Sequence, residues 1–335
     1  MKRIRIAQIG TSLYSHGSSI FSTLLAESDL FEVVGYALPE GERERFPSAL
    51  SPFAGQREMT VEQILSDPTI EAVTVECEEI YLTKYAQMVA DAGKHLHMEK
   101  PGGTDLLAFR RLVATLKEKR LVFSTGYMYR HNPKIREVLD KVARGELGRI
   151  YSVEAHMGGK HPRAQREWLR TLPGGMMFFL GCHLVDLIYT IQGEPLEVIP
   201  LSTATGIDGL DTVDLGMAAF RYPGGVSFVK TCDEELGGFA RRQLVICGER
   251  GTVEIRPLER YLPGNRWLVT EASECRDEAW LSEGERTVSV PFDRYLAMMR
   301  NFAELVRGKE NPYTYEYELG LYELLMRTIE RRDLE

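Results

Sequence analysis

From Ile4 to Thr125 the chain alternates short apolar runs rich in β-branched residues with stretches of helical periodicity, and this alternation limits the fold more than any other feature. The strands read "IRIAQIG", "FEVVGYAL", "IEAVTVEC", "HLHMEKP" and "LVFSTGYMYR". Between them the spacing predicts helices over Ser19–Ala26, "TVEQILSD", "YLTKYAQMVADAGK" and Asp105–Lys119, the third closed by Gly93. Strands separated by helices pair in parallel, which predicts a doubly wound α/β sheet. Ligands of such a sheet bind outside the carboxyl ends of its strands.

The pattern changes near Ser124. A helix over Pro133–Ala143 is followed by "GRIYSVEAHMGG", the long apolar stretch "GGMMFFLGCHLVDLIYTIQG", and strands at "LEVIPLSTAT", "TVDLGMAAFRY", "GVSFVKTCDE", "RRQLVICGE" and "GTVEIRP". Turn signals such as "YPGG" and "CGERG" between consecutive strands indicate antiparallel pairing. Helices over Asp293–Arg307 and Tyr315–Arg331 end the chain. The expected organisation is a Rossmann-type domain over 1–123 and an α+β domain with a large open, mainly antiparallel sheet over 124–335, the last helix being free to pack back on the first domain.

With 335 residues the chain is long enough for two cores. Its net charge of −8 argues against nucleic acid and anionic membranes as main partners. No apolar run approaches the roughly 20 residues needed to span a bilayer, and Lys2, Arg3 and Arg5 precede an alternating strand, not a signal-peptide core. Cys77, Cys182, Cys232, Cys247 and Cys275 are odd in number, widely spaced and without a C-x-x-C, which reads as reduced thiols in a cytoplasmic protein.

The first strand leads into "GTSLYSHGSSIF", placed where a dinucleotide-binding loop belongs. Gly10, Thr11, Ser12 and Ser15 form it, with serines at two positions where G-x-G-x-x-G has glycine. Two further stretches carry chemistry: "HMEKPGG" (His97–Gly103) at the carboxyl edge of the sheet, and "GCHLVD" (Gly181–Asp186) on a helix of the second half. With "STGYMYRHNP", "GELGRIYSVEAH" and "YPGGVSFVKTC" in order along the chain, the sequence resembles the glucose–fructose oxidoreductase, inositol dehydrogenase and rhizopine-catabolism (Gfo/Idh/MocA) family. The resemblance implies oxidation of a sugar or polyol hydroxyl with NAD or NADP, and a homodimer or homotetramer built through the C-terminal sheet. It places Lys100 beside the nicotinamide and His183 at the reacting carbon.

Those residue types suit the chemistry. A histidine takes a hydroxyl proton near neutral pH, and a lysine stabilises the developing alkoxide. Asp186, three residues after His183, falls on the same helical face, either to orient the ring or as a structural ion pair. No local histidine–carboxylate spacing marks a metal site.

Four departures from the family pattern stand out. Ser12 and Ser15 crowd the phosphate loop, although their hydroxyls can donate to phosphate. Leu38 holds the place of the acid that binds a ribose 2′-hydroxyl, with Glu40 nearby as a substitute; Arg43 and Arg45 follow, to meet a 2′-phosphate or as a solvated charge run. Glu76, Glu78 and Glu79 bring carboxylates to an anion site, or serve as N-terminal charges of the next helix. Phe179 replaces a carboxylate four residues before His183. Glu99 and Glu76 join the cofactor-side residues, and Tyr127, Tyr129, Arg130, His156, Arg163 and Trp168 join Phe179 as substrate lining, with His161 nearby. Three functions fit: an NAD(P)-dependent dehydrogenase, an epimerase or lyase that recycles bound cofactor, and a non-catalytic sugar sensor.

Overall fold

The computed structural model describes residues 2–329. In chain order the elements are β1 (Ile4–Ile9), α1 (Gly17–Ala26), β2 (Phe31–Ala37), α2 (Glu42–Arg45), α3 (Val61–Ser66), β3 (Ala72–Val75), α4 (Glu79–Asp91), β4 (His95–Met98), α5 (Leu106–Glu118) and β5 (Phe123–Thr125). They continue with α6 (Pro133–Ala143), β6 (Ile150–Gly158), α7 (Arg163–Trp168), α8 (Cys182–Gln192), β7 (Glu197–Pro200), β8 (Leu215–Tyr222), β9 (Gly225–Cys232), β10 (Gln243–Gly248) and β11 (Gly251–Ile255). The series ends with β12 (Arg260–Tyr261), β13 (Leu268–Val269), β14 (Glu271–Cys275), β15 (Glu285–Val288), α9 (Leu296–Val306) and α10 (Tyr315–Ile329). Of the expected last helix, Glu330 and Arg331 lie outside the described residues.

Two compact units result, one holding the residues up to Tyr127 with Tyr295–Tyr322, the other Met128–Arg294 with the residues from Glu323. The first is a five-stranded parallel sheet in the order β2-β1-β3-β4-β5. Ile6, Ala7 and Ile9 of β1 and all of β3 are buried, as befits strands covered on both faces. Strand order reverses between β1 and β3, so the turns after these two strands flank the crevice where ligands of such sheets sit. Helix starts are set locally: Thr60 and Gln63 form a capping box for α3, and Asp105 accepts from the Ala108 N–H of α5 at 3.0 Å. The late helix α9 belongs to this unit, burying Met298, Met299 and Phe302, with the Phe302 ring 5.6 Å from that of His97.

The second unit is built on an eight-stranded sheet in the order β15-β14-β11-β10-β6-β9-β8-β7; β6 and β9 pair in parallel, the other neighbours antiparallel. Strand alternation divides its residues between two faces. Val153, Ala155, Met157, Ala218, Phe220, Val229, Leu244 and Ile246 are fully buried on the face covered by α8. Met217, Phe228 and Val245 stand half-buried on the open face. A π-helical turn, Met177–Gly181, leads into α8 and its His183.

Candidate functional site

In the first unit the site begins with the turn after β1. Gly10 has φ 85°, and a Cβ there would collide with the thiol of Cys77, so only glycine fits. Beyond it, most backbone N–H groups of the loop already have acceptors inside the protein. Thr11 N–H donates to Glu42 Oε2 (3.1 Å), Ser12 N–H to Ser15 Oγ (3.0 Å), Tyr14 and Ser15 N–H to Ser12 Oγ (3.2 and 2.8 Å), and His16 N–H to Glu99 Oε2 (2.7 Å). Ser15 Oγ donates to the carbonyl of Glu76 at 2.9 Å. Both serine oxygens therefore accept from the loop's own backbone, and the Ser15 hydroxyl gives its proton to the Glu76 carbonyl. Gly17, at the start of α1, supplies the close approach assigned in the sequence to position 15: a Cβ there would lie 2.8 Å from Thr11 Oγ1 and 3.1 Å from Glu76 Cβ.

Carboxylates crowd the ends of β3 and β4. Glu76, Glu78, Glu79 and Glu99 are all buried, so none of the three glutamates after β3 escapes to solvent. Glu78 is the residue before α4 and pairs with Arg45 at 2.5 Å; Glu79 opens the helix. Glu99 bridges the two turns: Oε1 accepts from the Lys100 N–H at 2.8 Å, while Oε2 takes the His16 N–H and lies 2.9 Å from His16 Nδ1. Burial opposes ionisation of Glu99, but His16 and Lys100 outweigh it and hold its carboxyl well below the usual range. Its neighbour Glu76 moves the other way: burial, then the charge on Glu99, raise it well above the usual carboxylate range. Burial pushes Glu79 up to about 7 against the attraction of Lys100. His97 Nε2 lies 3.7 Å from Glu76, but burial pulls the ring down to about 4, so this is a contact between neutral groups.

Lys100 is 1 % exposed at the centre of these charges. The turn that carries it is fixed from below: Tyr322 donates to the carbonyl of Gly103 at 2.7 Å, and its ring stacks on Phe109 at 4.4 Å. At the expected ribose position Leu38 packs on the Phe21, Tyr36 and Phe53 cluster. Glu40 accepts from Lys84 and Tyr85 at 2.6 and 2.7 Å, which keeps it ionised. Arg43 is exposed and pairs with Glu58 at 2.5 Å.

The loop's contents test whether a dinucleotide suits it. Two of its N–H groups hold carboxyl oxygens, one of them the ionised Glu99, so the turn and the start of α1 offer donors of the kind that a pyrophosphate demands. The residues present fit NAD or NADP in kind.

In the second unit His183 lies on α8, 1 % exposed, with the Tyr129 ring set edge-on at 5.3 Å and 87°. Tyr129 in turn donates to Glu259 at 2.8 Å. Arg130 donates through Nε to both oxygens of Asp186 (3.0 and 3.1 Å) and through Nη2 to Oδ1 (2.8 Å), both side chains being buried. Tyr129, Arg130, His183 and Asp186 are thus brought together, with Arg130 committed to Asp186 and not presented as a free substrate contact. Trp168 stands edge-on to Phe179 at 5.2 Å. Arg163 is exposed and bonds Glu167 and the carbonyl of Asp208 (both 2.8 Å). His156 alternates with Ala155 and Met157 and so faces the side of the sheet away from α8, bonded to Glu235 at 2.7 Å; it does not join His183. Tyr127 is buried at the end of the first unit. His16, Gly17 and Glu42 were not singled out by the sequence; the pairing of "SHG" with the glycine-led α1 start was the one available signal for the first two, and none existed for Glu42.

Both units match known families. Residues 4–127 match the family described as "Oxidoreductase family, NAD-binding Rossmann fold", and residues 135–254 match the "GFO/IDH/MocA C-terminal domain". An uncharacterised oxidoreductase of Rhizobium meliloti is 26% identical over 100% of this chain and 99% of its own length. A 1,5-anhydro-D-fructose reductase of Ensifer adhaerens is 25% identical over 51% of this chain and 53% of its own. A 3-ketoreductase from Actinomadura kijaniata, solved in complex with NADP and TDP-benzene, superimposes with a TM-score of 0.78 over 97% of this chain and 96% of that one; at 22% identity this likeness shows the fold alone.

Proposed function

The chain belongs to the Gfo/Idh/MocA oxidoreductase family, and from that premise we propose that it transfers hydride between NAD or NADP and a CH–OH carbon of a sugar, polyol or related carbohydrate. The observation that carries this reading is Lys100, buried among Glu79 and Glu99 at the carboxyl edge of a parallel sheet, on a turn held by Tyr322. When bound, the cofactor accepts or returns the hydride at its nicotinamide ring. The loop Gly10–Gly17 would hold its pyrophosphate through backbone N–H groups released from their internal acceptors. His183 takes the hydroxyl proton at an imidazole nitrogen as the carbon is oxidised, and the Lys100 ammonium stabilises the oxygen as negative charge develops. Tyr129 and the Arg130–Asp186 pair act as positioning residues, the first by fixing the ring of His183, the second by fixing α8. Carbohydrate-active relatives such as the Ensifer reductase support the substrate class. The open face of the large sheet, with Met217, Phe228 and exposed Val226, serves assembly into a homo-oligomer.

Lys100→Met and His183→Ala should each lower turnover at least about 100-fold while circular dichroism stays unchanged. Full turnover in both variants, measured by nicotinamide absorbance with a panel of sugars and polyols, would contradict the assignment. A second reading has one observation behind it, the engagement of the loop N–H groups by Glu42 and Glu99. In that reading the chain keeps and recycles a tightly bound cofactor, or has given up catalysis.

A further inference from the structure

The short helix α2 delivers one side chain into the phosphate loop from below. Glu42 is fully buried, and its Oε2 accepts the Thr11 N–H, the first amide after Gly10. Its other oxygen, equally buried, has no hydrogen-bond partner among the described residues. A buried carboxylate held by one amide donor and a weakly donating thiol is under-compensated. The groups that face it add little help. The Cys77 thiol gives it a weak hydrogen bond, Glu78 repels, and the guanidinium of Arg45 is spent on Glu78 and on the ring of Phe46, 4.7 Å away. Burial therefore raises the Glu42 carboxyl to about 8, against the Thr11 hydrogen bond.

We infer that Glu42 is an internal stand-in for phosphate seated in the loop, a carboxyl that yields the Thr11 N–H to the pyrophosphate of a dinucleotide while it is protonated and competes for it once ionised. The inference rests on the reading of this loop as the cofactor's seat. It assigns to Glu42 a control over cofactor affinity that ordinary glycine-rich loops lack. It also gives that control a direction in pH. Below about 8 the carboxyl carries its proton and leaves the amide to the stronger acceptor; above that it is charged, holds Thr11 and repels phosphate.

The test is a calorimetric titration with NAD, NADH, NADP and NADPH between pH 6.5 and 9.5, on the wild type, Glu42→Gln, and Glu44→Gln as a control on the exposed side of the same helix. Thermal unfolding of each variant checks the fold. For the wild type, affinity should fall by up to tenfold per pH unit above about 8, the limit for one coupled proton. Glu42→Gln should bind roughly tenfold more tightly at pH 9 and show a flattened profile, while Glu44→Gln follows the wild type. Identical affinities and profiles for wild type and Glu42→Gln would overturn the inference and leave the cofactor reading standing. Absence of binding by every protein at every pH would overturn both.

Discussion

Glu79 in the first unit and Asp186 in the second are both buried, yet they are treated in opposite ways. Asp186 receives three hydrogen bonds from Arg130, a paired charge locked against a matching fork. Glu79 has no hydrogen bond to either oxygen among the described residues and sits beside Glu76, equally unsatisfied. A fold retains a satisfied buried pair as scaffold, whereas unsatisfied carboxyls at the switch point of a parallel sheet mark an edge prepared for something else to bind. The contrast separates the part of the molecule that holds His183, the histidine proposed as the base, in place from the part whose charge state is still adjustable.

The largest effect belongs to the paired charge. Arg130→Met leaves Asp186 buried and alone, and should destabilise the protein by about 3–5 kcal/mol in denaturant unfolding; Arg130→Met with Asp186→Leu should recover most of that loss. A single variant as stable as the wild type would erase the contrast. The adjustable edge gives a smaller, pH-dependent effect. Glu79 titrates near 7 in the folded chain and at the ordinary 4.5 when unfolded, so between these values the folded state holds the extra proton. Its stabilising contribution is complete below about 4.5 and is lost as pH rises through 7, and Glu42 extends the window to about 8. The melting temperature of the wild type should fall between pH 5 and pH 8.5, and Glu79→Gln should flatten part of that fall, by at most about 3 kcal/mol. A melting temperature that rises across the same range would sink the assignment of raised carboxyls to this edge.

Much of this was legible beforehand. The strand–helix alternation fixed the parallel sheet, because β-branched runs such as "AVTV" have no other use between two helical stretches. Lys100 and His183 were found because each lies inside a local pattern. What escaped were contacts between residues remote in sequence. Glu42 reaches Thr11 from 31 positions away, and His16 meets Glu99 from 83. Neither distance leaves a trace in periodicity. The hydroxyls of Ser12 and Ser15 were read as donors to a ligand, and the structure adds that their oxygens also accept from the loop's own N–H groups. Strand alternation gave β6 two faces without saying which one α8 would cover, and so His156 was grouped with His183. The helical pattern over Asp293–Arg307 likewise placed α9 at the end of the chain without saying that the first unit would hold it.

The central claim is that this acid-lined edge still seats a nicotinamide dinucleotide. Calorimetric titration of the wild-type protein at pH 6.5 with NAD, NADH, NADP and NADPH, after an absorbance check for cofactor carried through purification, tests it most directly. Micromolar or tighter binding of at least one of the four, or cofactor already in place, is the predicted result. No binding of any of them and none carried through would contradict the account, leaving Lys100 and its buried carboxyls without the ligand that explains them.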